Sequence, residues 1–165
     1  MNYRQLVLND YEQYNKIRSH ALDTVPEAFA STNEAEIDNR KERFTNLVTH
    51  QFNFITGAFD GEVLVGMVGF VKEERIKLKH KGLIWGMFVD KSKQGLGIGS
   101  KLIKIAINKA FEIDELKQIN LSVVATNTSA VKLYEKTGFV FYGLEKDALS
   151  VNNQFFDEYL MVRYR

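Results

Sequence analysis

Residues 83–111 limit the fold of this chain more than any other stretch. Leu83 to Val89 is almost continuously apolar, the pattern of a strand covered on both faces. The turn Gln94-Gly95-Leu96-Gly97-Ile98-Gly99-Ser100 follows. Lys101 to Phe111 then places Leu102, Ile103, Ala106, Ile107 and Ala110 on one helical face. A buried strand that enters an amphipathic helix through glycines is a tight strand-to-helix turn or a phosphate cradle. The first turn of a helix carries unpaired N–H groups and partial positive charge, which suit phosphate oxygens. Glycines let the backbone approach a ligand without a Cβ in the way and allow positive φ.

The segments on either side set this unit in a sheet. Gln118 to Val124 reads as the next strand and Ser129 to Lys136 as a short helix that Gly138 ends. Phe139 to Leu144 and Phe155 to Val162 read as the last strands. Upstream, Phe54 to Phe59 and Val63 to Val71 are β-rich runs joined by Asp60-Gly61, a hairpin signal. The N-terminal part reads as a strand at Tyr3 to Leu8 and a helix from Asn9 or Asp10 to about Leu22. A break at Pro26 precedes a second helix over Asn33 to Val48, whose many charges read as a solvated face. The expectation is an α/β (α+β) chain: a mixed central β-sheet of about six to seven strands flanked by helices.

Composition bears on what the cradle serves. A chain of 165 residues and 19.0 kDa is expected to form a single domain over 1–165. Lys and Arg number 22 against 21 Asp and Glu, a net charge of +1. That balance removes the electrostatic case for a nucleic-acid binder. No stretch has the length of a membrane span, and Met1 to Asp10 lacks a signal-peptide core. A cytoplasmic protein is expected, without membrane or nucleic-acid partners. There are no cysteines, which removes disulfides, thiolate ligands and cysteine nucleophiles. His20, His50 and His80 share no ligand spacing, so no metal is expected.

Three cradles compete for the glycine turn. A P-loop ends in Gly-Lys-[Ser/Thr], whereas Gly99 is followed by Ser100 and Lys101. A dinucleotide fingerprint counted from Gly95 would put its last glycine at Ser100, and the next strand ends in Val123-Val124 without the acidic residue. The pattern Q-x-x-G-x-G fits Gln94, Gly97 and Gly99. In this the chain resembles the GNAT superfamily, the acyl-CoA-dependent N-acyltransferases. The run from Asn127 to Phe139, with Ala130, Leu133, Tyr134 and Gly138, resembles their second signature, N-x-x-A-x-x-L-Y-x-x-x-G-F. The likeness is sharpest over Leu83 to Tyr142 and extends loosely over the chain.

The resemblance implies a GNAT-like domain whose two adjacent parallel strands, Leu83–Val89 and Gln118–Val124, splay apart around acetyl-CoA. It implies main-chain contacts from Phe88 and Val89 to the pantetheine. It also implies a pyrophosphate wrap by Gln94, Gly95, Leu96, Gly97, Ile98, Gly99 and Ser100. Asn127 would touch the cofactor or cap the following helix, and the two roles are compatible. Tyr134 packs the short helix on the sheet if judged by spacing alone. The signature makes it the catalytic residue, a phenol able to protonate the leaving thiolate.

The resemblance further implies direct attack by a primary amine, of a small molecule or a protein N-terminus, in a ternary complex. In relatives resembling ribosomal-protein alanine acetyltransferases, a glutamate serves as base five residues before the signature asparagine. Here Ser122 stands at that position. Glu145, Asp157 and Glu158 are the other carboxylates expected near the acceptor, and no base is assigned. Glu27 to Thr32, Trp85, Tyr142 and the Glu145–Asp157 connection are the expected acceptor walls. The basic cluster Lys72 to Lys81 reads as a solvated strand extension. Ser122 leaves a second class open, a non-catalytic CoA-binding or protein-interaction module of GNAT-like fold. The apolar run Phe155 to Val162 permits a homodimer.

Overall fold

The computed structural model describes all 165 residues. Seven strands form one sheet in the order β1-β2-β3-β4-β5-β7-β6. They are β1 (Asn2–Gln5), β2 (Phe54–Asp60), β3 (Val63–Lys72), β4 (Lys81–Val89), β5 (Gln118–Val124), β6 (Val140–Val151) and β7 (Gln154–Tyr164). Every pairing is antiparallel except β4 with β5. Five helices flank the sheet: α1 (Tyr11–Thr24), α2 (Asn33–Glu36), α3 (Arg40–Thr49), α4 (Ile98–Ala110) and α5 (Thr128–Lys136). The expected strand number, the hairpin at Gly61 and the parallel centre are all present.

The sheet has a core on each face. On one, α4 packs Leu102, Ile103 and Ala106 against Val65, Val68, Phe70 and Ile84. On the other, Tyr14, Ile17 and Ala21 of α1 and Phe44 of α3 pack on Ile55, Leu64 and Met67. Along β3, Leu64 and Met67 face one core and Val65, Val68 and Phe70 the other; the alternation is broken where the strand shifts register against β2 between Leu64 and Gly66.

Four expectations need correction. The helix expected over Asn33 to Val48 is two helices, α2 and α3, and its buried stripe is Glu36, Arg40 and Phe44. Ile37 is 63% exposed, whereas Phe44 is buried and Leu47 and Val48 pack against the same core, and the charges include a buried cluster. Asp10 does not cap α1 through its side chain. Its carboxylate instead takes two hydrogen bonds from Arg4 and one from the Val7 N–H, which hold its pKa below the usual carboxylate range. Leu83 is 42% exposed, so β4 is not covered on both faces along its length. The connection expected between Glu145 and Asp157 is β-hairpin: β6 and β7 run on to a turn at Asn152 and Asn153, both in the left-handed region (φ 50° and 62°). Asparagine tolerates that region, which suits it to a two-residue hairpin loop.

Candidate functional site

The site begins with an interruption of the sheet. β4 and β5 pair only at Lys81–Gln118, Gly82–Ile119 and Leu83–Asn120. Beyond Leu83 the strands separate, and Ile84–Val89 and Leu121–Val124 form the two sides of a V. A bulge in β4 lies at the fork. Met67 of β3 pairs with Phe88 and Gly69 with Trp85, so one residue of β3 faces two of β4. Gly86 sits in that bulge at φ +63°, where a side chain would be strained. β5 keeps its other partner over its whole length, from Gln118–Tyr164 to Val124–Glu158. β4 likewise keeps β3 from Gly82 to Val89 apart from the bulge, so the V opens between two strands that are each held on their outer side.

Three adjoining hollows fill the V. One of about 100 Å³ lies deepest, between Ile84–Met87 and Leu121–Val124, with Phe29, Asn127 and Tyr134 on its walls. A second, of about 380 Å³, opens toward the 3-10 turn Pro26–Ala28 and includes Glu27, Phe88, Val89 and Gln94. A third, of about 400 Å³, follows the glycine turn from Gln94 to Ser100, with Asn127 and Leu133 opposite. Met87 and Asn127 border all three, so they form one cleft. A larger hollow of about 590 Å³ lies by Lys109 at the C-terminal end of α4 and shares no residue with this cleft.

The glycine turn is held from both ends. Asp90 caps the short 3-10 turn Lys91–Lys93 by accepting from the Ser92 N–H at 2.8 Å. The Gln94 amide donates to the Val89 carbonyl at 3.0 Å, tying the turn to the end of β4. Gly97 is the N-cap of α4 at φ +75°, and no heavy atom lies within 4 Å of where its Cβ would stand. The space is open, and only the backbone conformation demands glycine there. No acidic residue occupies the first turn of α4, so its N–H groups face no competing carboxylate. α4 starts at Ile98, three residues before the expected Lys101, which brings Gly99 and Ser100 into that first turn. Leu96, in the middle of the turn, is 68% exposed.

Across the cleft, Asn127 caps α5: its Oδ1 accepts from the Ala130 N–H at 3.2 Å and the Ser129 hydroxyl at 3.0 Å. The capping role read from the sequence is present, and the side chain also borders the cleft. Tyr134 is 6% exposed, its ring edge-on to Phe139 at 5.8 Å between centroids, and it lines the deepest hollow. Burial pushes the phenol pKa well above its ordinary value, so the proton stays on Oη across the physiological range.

On the acceptor side the structure gathers some expected residues and leaves others out. Trp85, Glu27, Phe29 and Ser122 line the cleft. Glu145, Asp157, Glu158 and Tyr142 do not. Glu145 faces Glu158 across β6 and β7, and Asp157 Oδ1 accepts from the Asp147 N–H at 2.9 Å. Glu27 is the one carboxylate on the cleft walls. In the basic cluster, Lys72 and Lys79 both pair with Glu115, at 2.7 and 3.1 Å, away from the cleft.

Two residues of the site escaped sequence reasoning. Gly86 was legible in part, since a lone glycine inside a strand pattern hints at a bulge. Arg18, buried beneath the acceptor side, gave no signal because a charge on an amphipathic helix is normally solvated.

Comparison with known proteins agrees with this geometry. The family model described as acetyltransferase (GNAT) family matches residues 14–139. A probable spermine N(1)-acetyltransferase of Bacillus subtilis subsp. natto (strain BEST195) is 39% identical over 64 residues, 38% of this chain and 42% of that protein. The chain thus aligns with less than half the length of that relative. Among solved structures, a GNAT-family acetyltransferase from Streptococcus pneumoniae superposes with a TM-score of 0.88 at 24% identity, covering 99% of both chains. A Salmonella typhimurium structure described with its cofactor acetyl-CoA superposes with a TM-score of 0.84 at 19% identity, covering 99% of this chain and 93% of that one. These structural likenesses establish the fold. With a matching family model over most of the chain and a splayed β4–β5 cleft facing a glycine turn, this protein belongs to the acetyltransferase (GNAT) family.

Proposed function

We propose that the protein is an N-acetyltransferase that moves the acetyl group of acetyl-CoA to a primary amine, of a small molecule or a protein N-terminus, by direct attack in a ternary complex. The observation that carries this reading is the join of an open α4 N-terminus with a V-shaped gap in the sheet. The residues present fit the cofactor. Gly97 leaves the space that a Cβ would fill, and the Gln94–Ser100 backbone can surround a pyrophosphate. Beyond Leu83, β4 has no partner on its β5 side, so main-chain groups up to Phe88 are open to an amide-bearing chain such as pantetheine, while the Val89 carbonyl is taken by the Gln94 amide. Bound there, acetyl-CoA supplies an activated thioester.

The chain's own residues would do the rest. Tyr134 holds its proton at Oη and gives it to the departing sulfur, a transfer suited to a phenol that burial keeps neutral. Asn127 fixes the start of α5 and so the position of Tyr134 seven residues on. Glu27, at the mouth of the cleft, attracts the cationic amine. No side chain is assigned as base, because β5 offers Ser122 where a carboxylate is expected. That residue is the observation behind a second reading, a module that holds CoA without catalysis. A panel of primary amines with acetyl-CoA and thiol detection separates the two. Thiol release that depends on an amine supports the enzyme; tight CoA binding with no release from any amine supports the module.

The outer strands suggest the assembly. Val140, Phe141, Tyr142 and Leu144 of the edge strand β6 are each 44% exposed or more, as is Phe155 of β7. An apolar edge strand invites a second strand, and a homodimer at this edge is part of the proposal. Light scattering is expected to give twice the monomer mass, and Phe141→Lys to shift it toward the monomer.

A further inference from the structure

Beneath the acceptor side of the cleft lies a charge cluster that does not balance. Arg18 of α1, Glu36 of α2 and Arg40 of α3 are 5%, 4% and 2% exposed. Arg18 grips Glu36 with two hydrogen bonds, Nε to Oε2 at 3.0 Å and Nη2 to Oε1 at 2.6 Å. Arg40 spends Nη1 on Asn15 and Ser19 and Nη2 on Asn33, and its Nε lies 3.4 Å from Glu36. Two buried cations thus share one carboxylate. Asp23 touches the cluster only through Asn33 and lies at the surface. An excess buried positive charge is expensive unless an anion completes it.

The same cluster contains an unpaired donor that points to where the anion belongs. Arg18 Nη1 and Trp85 Nε1 are fully buried and have no hydrogen-bond partner in the protein. Arg18 Nη1 is the one beside the V, whereas Trp85 Nε1 lies over Gly69 of β3, 2.6 Å from where a Cβ there would stand. A Cβ on Gly86 would stand 3.7 Å from Arg18 Nη1, and Gly86 and Trp85 line the deepest hollow with Ser122 and Tyr134. The Arg18 guanidinium lies between aromatic faces, 5.0 Å from the Phe29 ring centroid and 5.8 Å from that of Trp85. Phe29 also lines the hollow and caps the approach to Nη1. Nearly every buried polar group is paired in a native protein, so an orphan guanidinium N–H beside a cleft is a recognition signal. It can only donate, so its partner must be an acceptor.

We propose that the acceptor is an amine that also carries a carboxylate, in the manner of an α-amino acid. Its carboxylate is held by Arg18 Nη1 when the Phe29 ring turns aside. Its ammonium is drawn toward Glu27, two residues from Phe29 and on the cofactor side. The arrangement disfavours polyamines, which would bring further cations to a pocket already one charge positive. This inference names the substrate class of the acetyl transfer proposed above and rests on that reading.

The test uses matched ligands on the intact protein. Turnover with acetyl-CoA is measured for a set of amino acids and for the corresponding amino acid amides, with spermidine as a carboxylate-free control. Calorimetry on the CoA-saturated protein measures binding of the same ligands without chemistry. The expected result is at least about tenfold higher kcat/KM, and tighter binding, for acids over amides, as removal of a charge-assisted hydrogen bond implies. In Arg18→Lys, which keeps a cation beside Glu36 but loses Nη1, that acid-to-amide ratio should fall toward one. A melting curve confirms that the variant is folded. Amides or spermidine preferred over acids would overturn the inference while leaving acetyl transfer intact. Acids that bind selectively without being acetylated would uphold the carboxylate site at Arg18 and defeat the catalytic reading. Absence of both binding and turnover would defeat both.

Discussion

Tyr134 is the residue on which the proposed chemistry turns, and its surroundings explain why it suits the role. A phenol already loses its proton only near pH 10, and burial against Phe139 raises that further. Tyr134 therefore keeps its proton across the physiological range. Tyr134→Phe keeps the ring and its packing and removes only Oη. We expect kcat to fall by about 10²-fold or more, as for loss of a general acid, while calorimetry shows nearly unchanged acetyl-CoA affinity. An unchanged kcat would leave Tyr134 as a packing residue.

Glu36 carries a second expectation at this scale, this time for stability. Burial pushes its pKa up, but the hydrogen bonds and charge of Arg18, with Ser31 and Arg40, more than offset that, and the net shift is downward. A carboxyl group with a depressed folded pKa stabilises the fold fully above its unfolded pKa, about 4.3 for glutamate. That contribution is lost as pH falls from there through the lower folded value. Asp10, held low by Arg4, acts in the same sense. Urea unfolding should therefore show stability dropping below about pH 4.3, with a shallower drop in Glu36→Gln. A drop of the same steepness in that variant would show that Glu36 is not responsible.

At the scale of elements, the decisive ones are β4, with its bulge, and α4, with its glycine cap. Gly86→Ala forces a side chain into the left-handed region at φ +63°, a strain of about 1–2 kcal/mol. The strand can relieve it by losing the bulge and closing on β5. The expected outcome is a loss of acetyl-CoA affinity larger than the loss of thermal stability, measured by calorimetry and melting in parallel. Gly97→Ala imposes a similar strain of about 1–2 kcal/mol with no steric clash, since the surrounding space is open. It should weaken binding through the displaced first-turn amides.

These elements also show what the sequence could and could not reveal. The glycine turn, β5 and α5 were legible almost to the residue because local signals agree there: continuous apolar runs, glycines at the turn, Asn127 as cap. The split of α2 from α3 was not, because its buried stripe is Glu36–Arg40–Phe44 and polarity rules place charges outside. Long-range pairing decided that region: the Glu36 carboxylate goes inward because Arg18, eighteen residues earlier, meets it there. β6 extends well past its expected end at Leu144 for the opposite reason, since it is largely exposed and lacks the apolar density of a core strand. The acceptor wall followed the same pattern. Glu145 and Glu158 were near in sequence logic, but antiparallel pairing aligns them with each other outside the cleft.

For the molecule as a whole, the near-neutral charge and the cleft belong together. The net charge of +1 provides no long-range field for a polyanion, so recognition must come from aligned backbone N–H groups at close range. Binding of acetyl-CoA should then weaken only modestly as salt rises from about 50 to 200 mM, unlike a site built on clustered lysines. No helix is long and apolar enough to cross a membrane. Acetyl-CoA titrated calorimetrically into the purified protein tests the central claim most directly, with Gly97→Ala run alongside. The structure predicts one site per chain, micromolar affinity and weaker binding in the variant. The absence of any heat of binding at millimolar acetyl-CoA, or equal binding by the two proteins, would contradict it.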